Sequence, residues 1–461
     1  MSSPNDRRWT IAPTLLWFCV FIVVGLWRFN GGLRALADRV TTKREDPPVA
    51  GPMSKPATVA DASKDHDDDR PAALPEPDTG DRARVGALED VCLDGTPEKC
   101  KRWGMDGFYR GIRDSKAKKL GRAVRVSWYG DSVIATDQIP AHLRGRMQGE
   151  LGDGGPGFVY VVTPHRFCAH EGLTRTNDGD WKTHAISTLP AADGLYGVGG
   201  ASAETYSGNA TIKLLTGTAT NVELYYVAQP KGGTATVKAD GQDVLVAETA
   251  ADVKGAGHAS GTTVAAKKFE ITTKGKVRLY GIDIENATGA VVDNFGIVSV
   301  HAKNFSARNA DDFAADLGHR SADLILVMIG ANEAQWLSPS AKGQADYLAQ
   351  FEKALAPLRK GRPDGACLVI SPLDQAEAKD DGYVSRPVMP HLVETQRKAA
   401  KAVGCAFFSA YDWQGGKGSA AKWFKKGMVG TDFIHLSKKG ATKLADGVFE
   451  ALMQGYQRYA K

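Results

Sequence analysis

The sequence predicts an α/β fold, a doubly wound parallel sheet interrupted by a β-rich segment. Three observations carry this expectation. From residue 122 onward, short apolar runs alternate with amphipathic stretches of helical period, the pattern of a parallel sheet with crossover helices. One run, residues 323–329 (DLILVMI), is apolar after its first residue, as a strand buried on both faces requires. Finally, about 160 residues separate the first run from the second, far more than one helical crossover needs.

The elements follow in order. Residues 124–129 (VRVSWY) form a β-rich run that stops at Gly130. Residues 137–150 place Ile139, Leu143 and Met147 on one helical face. A second strand is expected over 291–300 and a third over 323–329. A helix over 342–359, a strand at CLVI (367–370), a helix over 390–403, a strand at CAFF (405–408) and a helix over 438–454 complete the series. Within the long interval, alternating runs occur at 222–227, 235–238, 244–247, 269–271 and 277–284. The turn Ala239-Asp240-Gly241-Gln242 joins two of them as a hairpin. This segment reads as an inserted β-sandwich over 205–288. The α/β domain then comprises residues 88–204 and 289–461.

The N-terminus has a different character. After a tail of residues 1–10, residues 11–27 (IAPTLLWFCVFIVVGLW) carry no charge and are flanked by Arg7, Arg8 and Arg28. That length is near the minimum for a membrane-spanning helix, and Trp9 and Trp27 suit the two interfaces. We expect an uncleaved anchor, with a cleaved signal peptide as the alternative, and the folded part beyond the membrane. Residues 28–87, rich in proline and containing Asp65-His66-Asp67-Asp68-Asp69, read as a flexible linker.

Composition narrows the function classes. Of 461 residues, 43% are hydrophobic and 24% charged, which excludes wholesale disorder, collagen and a polytopic membrane protein. The balance of 58 basic against 53 acidic residues leaves no nucleic-acid footprint. Six cysteines are too few for a disulfide scaffold. Cys92 and Cys100 bracket a short loop and are expected to pair. Cys367 and Cys405 open two strands and are either a disulfide or two buried thiols, and Cys168 is left over. His165 and His170 flank Cys168, but with no second cluster they make no metal site. Trp181 and Tyr206 fit core packing better than sugar stacking. Asp137 and Gln138 either shape a pocket or cap their helix.

Three clusters carry the chemistry. Gly130-Asp131-Ser132 ends the first strand, Gly330-Ala331-Asn332-Glu333 ends the third, and Asp432-Phe433-Ile434-His435 precedes the last helix. Ligands of an open parallel sheet bind outside the carboxyl ends of its strands, so one edge collects all three. A serine hydroxyl needs an imidazole to take its proton, and the imidazole needs a carboxylate to fix its tautomer. Ser132, His435 and Asp432 fill those roles. The backbone N–H of Ser132 and the Asn332 amide can serve the oxyanion. This chemistry calls for no cofactor and no metal.

These blocks resemble those of the SGNH (GDSL-type) hydrolases. Tyr129-Gly130-Asp131-Ser132 matches the first block, the Gly330–Glu333 cluster the third, and Asp432 with His435 the fifth. The resemblance implies a flavodoxin-like sheet, Ser132 as nucleophile and Asn332 as oxyanion donor, with Gly130, Asp131 and Gly330 in support. The second block is matched by Asn294-Phe295-Gly296-Ile297-Val298-Ser299, where Ser299 stands at the family's glycine and its N–H is the implied donor. Gly152-Asp153-Gly154-Gly155-Pro156-Gly157-Phe158 and Gly415-Gly416-Lys417-Gly418-Ser419 are similar to segments of enzymes acting on acetylated cell-envelope polysaccharides. The implied activity is removal of O-acetyl groups from a polysaccharide, peptidoglycan among the candidates. The competing readings are an O-acetyltransferase with the same triad and a non-catalytic glycan-binding protein.

Overall fold

The computed structural model describes residues 83–380 and 382–461. The expected anchor at 11–27, the tail before it and the linker up to residue 82 lie outside the described residues. Among the described residues, no helix is long and apolar enough to cross a membrane.

Five parallel strands form the central sheet: β1 (Val124–Gly130), β2 (Ala290–Gly296), β3 (Leu324–Met328), β4 (Ala366–Ile370) and β5 (Ala406–Phe408). Their spatial order is 2-1-3-4-5. Alternate side chains go to opposite faces. Val124, Val126, Trp128, Leu324 and Leu326 pack with helices α1 (Asp106–Lys116), α2 (Gln138–Leu151) and α6 (Lys438–Tyr459). Tyr129, Ile325, Val327, Val369 and Phe407 pack with α3 (Ala310–Arg320), α4 (Ala341–Gly361) and α5 (Met389–Ala402). The continuous apolar runs thus reflect burial on both faces.

Two boundaries differ from expectation. The linker was expected to reach residue 87, but Arg84–Val85 forms a hairpin with Leu88–Glu89, which adds antiparallel to β5. Gly86, with φ +60°, turns this hairpin, and Val85 and Leu88 are buried. The strands between β1 and β2 also begin before residue 205. One sheet contains Leu173–Gly179, Gly208–Leu214, Lys268–Lys274, Thr234–Ala239 and Gln242–Glu248. The other contains Lys182–Ala185, Ala201–Thr205, Val277–Glu285, Ala219–Ala228 and Gly255–Ala266, with Gly157–Val159 added to it. Their facing apolar sides, including Ile212, Val237 and Phe269 against Leu224, Leu279 and Ile282, make one core, as in face-to-face packing. The early strand LTRTNDG escaped notice because its residues after Leu173 are largely exposed and polar.

The glycine-rich segment after α2 packs this β-rich part onto the sheet. A Cβ on Gly154 would meet Ala290 backbone at 2.6 Å, and one on Gly155 would meet the Ile284 carbonyl at 2.7 Å. Cys92–Cys100 and Cys367–Cys405 are disulfides, the second joining the starts of neighbouring β4 and β5, and Cys168 is a buried free thiol.

Candidate active site

The first cluster is shaped by a sharp strand-to-helix turn. β1 ends at Gly130, where a Cβ would lie 2.2 Å from Ile134. Asp131 takes an extended conformation and caps the following turn, its carboxylate accepting the Val133 N–H at 3.0 Å. Ser132 is therefore the first residue of a short helix, Ser132–Ala135, held down by buried Val133, Ile134 and Ala135. Its N–H belongs to the helix start, where backbone donors have no partner within the helix. Burial raises the Asp131 carboxyl to about 6 against the pull of the Val133 N–H.

The loop before α6 is folded around Asp432. Asp432 Oδ1 accepts the backbone N–H groups of Ile434 at 2.9 Å and His435 at 3.0 Å. Phe433, at φ +56°, turns inward and is buried. His435 is thereby aimed back at its own neighbour. His435 Nδ1 lies 2.6 Å from Asp432 Oδ2, and His435 Nε2 lies 2.8 Å from Ser132 Oγ. A carboxylate only accepts, so Nδ1 carries the proton and Nε2 is left to accept from the serine hydroxyl. Burial alone would raise the Asp432 carboxyl, but the ring and the two backbone donors outweigh it and hold it below its usual range. About half of each side chain in the His435–Asp432 pair is exposed.

The oxyanion candidates meet at the ends of β2 and β3. Gly330, at φ +123°, has its Cβ position filled by Gln396 and Pro372. Asn332 then donates one amide hydrogen to the Val300 carbonyl at 2.8 Å, leaving its second hydrogen available. Ser299 stands at φ +60°, the left-handed conformation that favours glycine. The resemblance placed a glycine at this position, and the backbone supplies the reason. Among the described residues, nothing accepts the N–H of Ser299 or of Ser132.

Sequence reasoning named Asn294, His165 and Glu333 but gave them no part in holding this assembly together. Asn294 accepts the Gly296 N–H at 2.9 Å and donates to the carbonyls of Ala135 and Ala169, tying the second-block loop to the serine turn. Its signal was a polar pair, Asp293-Asn294, inside an apolar strand. His165 accepts the Val298 N–H through Nε2 at 3.4 Å, next to Ser299. Glu333 is fully buried, accepts the Ala302 N–H at 2.8 Å and is pushed up to about 7 by burial.

Other singled-out residues lie elsewhere. Asp137 neither caps α2 through its side chain nor opens into the cleft. It is buried at φ +63°, paired with Arg144 at 3.1 Å, and accepts the Glu171 N–H. His170 is buried 3.8 Å from Asp137, and burial pushes it down to about 4. Its ring and that of His165 serve different partners. Among the described residues, no group of three or more His, Cys, Asp or Glu is placed to hold a metal ion. Trp181 packs over Gly208, whereas Tyr206 is exposed.

No family model and no curated protein sequence matches the chain. Solved structures do. A peptidoglycan O-acetylesterase is similar, with 26% identity and a TM-score of 0.66, over 76% of this chain and 96% of that one. An acetylxylan esterase from Geobacillus stearothermophilus shares 20% identity over 35% of this chain and 73% of its own, with a TM-score of 0.26. With its parallel sheet in the order 2-1-3-4-5, the chain has the fold of the peptidoglycan O-acetylesterase, and the similarity supports an ester hydrolase.

Proposed function

We propose that the protein is a serine esterase that removes O-acetyl groups from a cell-envelope or extracellular polysaccharide through an acyl-serine intermediate. The observation that carries this reading is the hydrogen-bond chain Asp432–His435–Ser132, with the Asn332 amide on the adjacent strand end. Ser132 Oγ attacks the ester carbonyl carbon while its proton passes to His435 Nε2. The tetrahedral oxyanion takes hydrogen bonds from the N–H groups of Ser132 and Ser299 and from the Asn332 amide. The bond from carbon to sugar oxygen breaks, and Nε2 returns the proton to that oxygen. A water oxygen then attacks the acyl carbon while His435 Nε2 takes its proton, the bond from carbon to Ser132 Oγ breaks, and Nε2 returns the proton to Oγ as the acetyl group leaves as acetate.

The similarity to a peptidoglycan O-acetylesterase over most of both chains favours an acetylated envelope glycan. The half-exposed triad favours water over a sugar hydroxyl as acyl acceptor. In this reading the flavodoxin-like α/β domain carries the chemistry and the β-sandwich inserted between β1 and β2 engages the polymer. An anchor at 11–27 and the linker hold the enzyme beyond the membrane. Two disulfides support an oxidising compartment.

The test is acetate release from acetylated peptidoglycan, acetylated xylan and an acetylated exopolysaccharide, with and without an acceptor sugar. Wild type is expected to release acetate from at least one polymer, and Ser132→Ala to release none above background. Acetyl transfer to the acceptor in place of acetate release would assign a transferase. Equal aryl acetate hydrolysis by Ser132→Ala and wild type would remove the triad assignment.

A further inference from the structure

Two exposed aromatic rings stand next to the elements that carry the site, one on the turn that follows Asn332 and one packed on Phe433 of the Asp432–His435 loop. Trp336 is 58% exposed and Tyr383 is 46% exposed. Trp336 closes the single helical turn that starts at Asn332, its N–H donating to the Glu333 carbonyl. His301 backs it edge-on at 5.9 Å. Tyr383 sits on the hairpin formed by Ala376–Lys379 and Gly382–Ser385. Its ring rests on Phe433 at 4.7 Å and on Phe424 at 5.7 Å. Phe433 is the residue between Asp432 and Ile434, so Tyr383 marks the histidine side of the site and Trp336 the oxyanion side.

Both rings are rigidly mounted. Buried Asp374 accepts the Ser385 hydroxyl at 2.7 Å and the N–H groups of Gly418 at 3.1 Å and Ala420 at 3.0 Å. Its neighbour Gln375 donates to the Ala331 carbonyl at 3.0 Å and pairs with the Gln335 side chain. Residues 374–375 therefore lock the Tyr383 hairpin, the Gly415–Ser419 loop and the Asn332–Trp336 turn into one frame. An aromatic face held this way needs no reordering on binding, and it suits the C–H face of a pyranose ring with the phenol or indole edge left wet.

The reaction geometry fixes which ring goes where. The ester carbonyl oxygen must face Asn332, and the sugar oxygen must face His435 Nε2, which returns its proton. The sugar bearing the ester thus lies on the Phe433–Tyr383 side. We propose that Tyr383 and Trp336 are sugar-stacking platforms that hold an acetylated glycan strand across the mouth of the triad, Tyr383 beneath the ring that bears the ester and Trp336 beneath a neighbouring ring. This inference rests on the esterase reading above and adds the residues that select a polymer over a small ester.

The test compares kcat/KM on an acetylated glycan with kcat/KM on an aryl acetate for wild type, Tyr383→Ala, Tyr383→Phe, Trp336→Ala and Trp336→Phe. Val264→Ser, at a fully exposed position of the strand Gly255–Ala266, is the control. Each alanine variant is expected to lower the glycan-to-aryl ratio about tenfold, chiefly through KM, and each phenylalanine variant to restore most of it. Calorimetric titration of an acetylated glycan oligomer into Ser132→Ala protein, with and without each alanine change, reads binding without turnover and should show the same loss. If wild type deacetylates the glycan and both alanine variants keep its ratio, the platforms are overturned while the esterase reading stands. If wild type neither binds nor deacetylates any acetylated glycan, both fall together. A phenylalanine variant as poor as alanine would also overturn stacking.

Discussion

Asp432→Asn isolates the part of the site that sets the proton's position. The carboxylate uses Oδ1 for the Ile434 and His435 N–H groups and Oδ2 for the His435 ring. In the amide, the oxygen must stay where the two backbone donors point, because an NH2 there would face donors on both sides. The NH2 is then forced against Nδ1, which must accept, and the ring proton moves to Nε2. There it donates to the Ser132 oxygen across 2.8 Å, no nitrogen lone pair is left to take the serine proton, and the base is lost without any change of shape. A triad locked in the wrong tautomer loses about 10⁴ in rate, or about 5.5 kcal/mol of transition-state stabilisation. The assay is initial-rate hydrolysis of an aryl acetate, with circular dichroism confirming the fold. Activity within tenfold of wild type would refute the tautomer argument and with it Asp432 as the orienting carboxylate.

Other predictions follow from neighbouring contacts. Asn332→Ala should lower kcat about a hundredfold or more with a much smaller change in KM, since its second amide hydrogen serves only the oxyanion. Ser299→Gly should raise stability by about 1 kcal/mol in chemical denaturation by relieving the left-handed backbone, and should leave kcat near wild type because glycine keeps the N–H. Glu333 has its carboxyl raised from 4.5 to about 7 by burial, so the folded state binds the proton more tightly than the unfolded one. Its stabilising contribution is full below about pH 4.5 and lost as pH rises through about 7, and Glu333→Gln should flatten that fall by up to about 3 kcal/mol. Replacing Cys367 and Cys405 together by alanine opens a cross-link spanning 38 residues, and a loss of up to about 4 kcal/mol is expected by urea titration.

The catalytic edge was legible in the sequence because each part is a local signal at the end of a strongly apolar run. Gly130 and Gly330 mark backbone positions where a Cβ would collide. Asp432 and His435 are close enough for one loop to hold both. The pairing of these parts across 303 residues needed only the rule that parallel strands deliver their carboxyl ends to one side. What stayed hidden was the tertiary scaffolding. His165 and Gln375 act through hydrogen bonds to backbone of distant segments, and nothing local distinguishes such a residue from any other polar side chain. The extent of the β-rich insert was misjudged for a related reason. Strands such as Leu173–Gly179 and Gly255–Ala266 are exposed or half-buried along most of their length, so hydrophobic alternation cannot announce them.

The mounting of that insert bears on the chemistry. Its strand Val277–Glu285 is buried throughout and runs almost directly into β2. At the junction Arg320 pairs with Asp283 at 3.0 Å, Glu285 at 2.6 Å and Asp293 at 2.8 Å, and Arg125 pairs with Glu285 at 2.7 Å. Three buried carboxylates against two guanidinium groups leave one negative charge too many. Burial, reinforced by the neighbouring carboxylates, raises the Asp283 carboxyl against the pull of Arg320. Removing one partner from such a cluster costs several kcal/mol because a buried charge is left unmatched. Asp293 also accepts the Phe158 N–H from the insert's first strand and the Ser127 hydroxyl from β1. The next residue is Asn294, which holds the loop leading to Ser299. The insert's foundation and the oxyanion loop are thus adjacent residues of one strand. A glycan gripped by the sandwich would be held in fixed register with the serine rather than on a swinging arm.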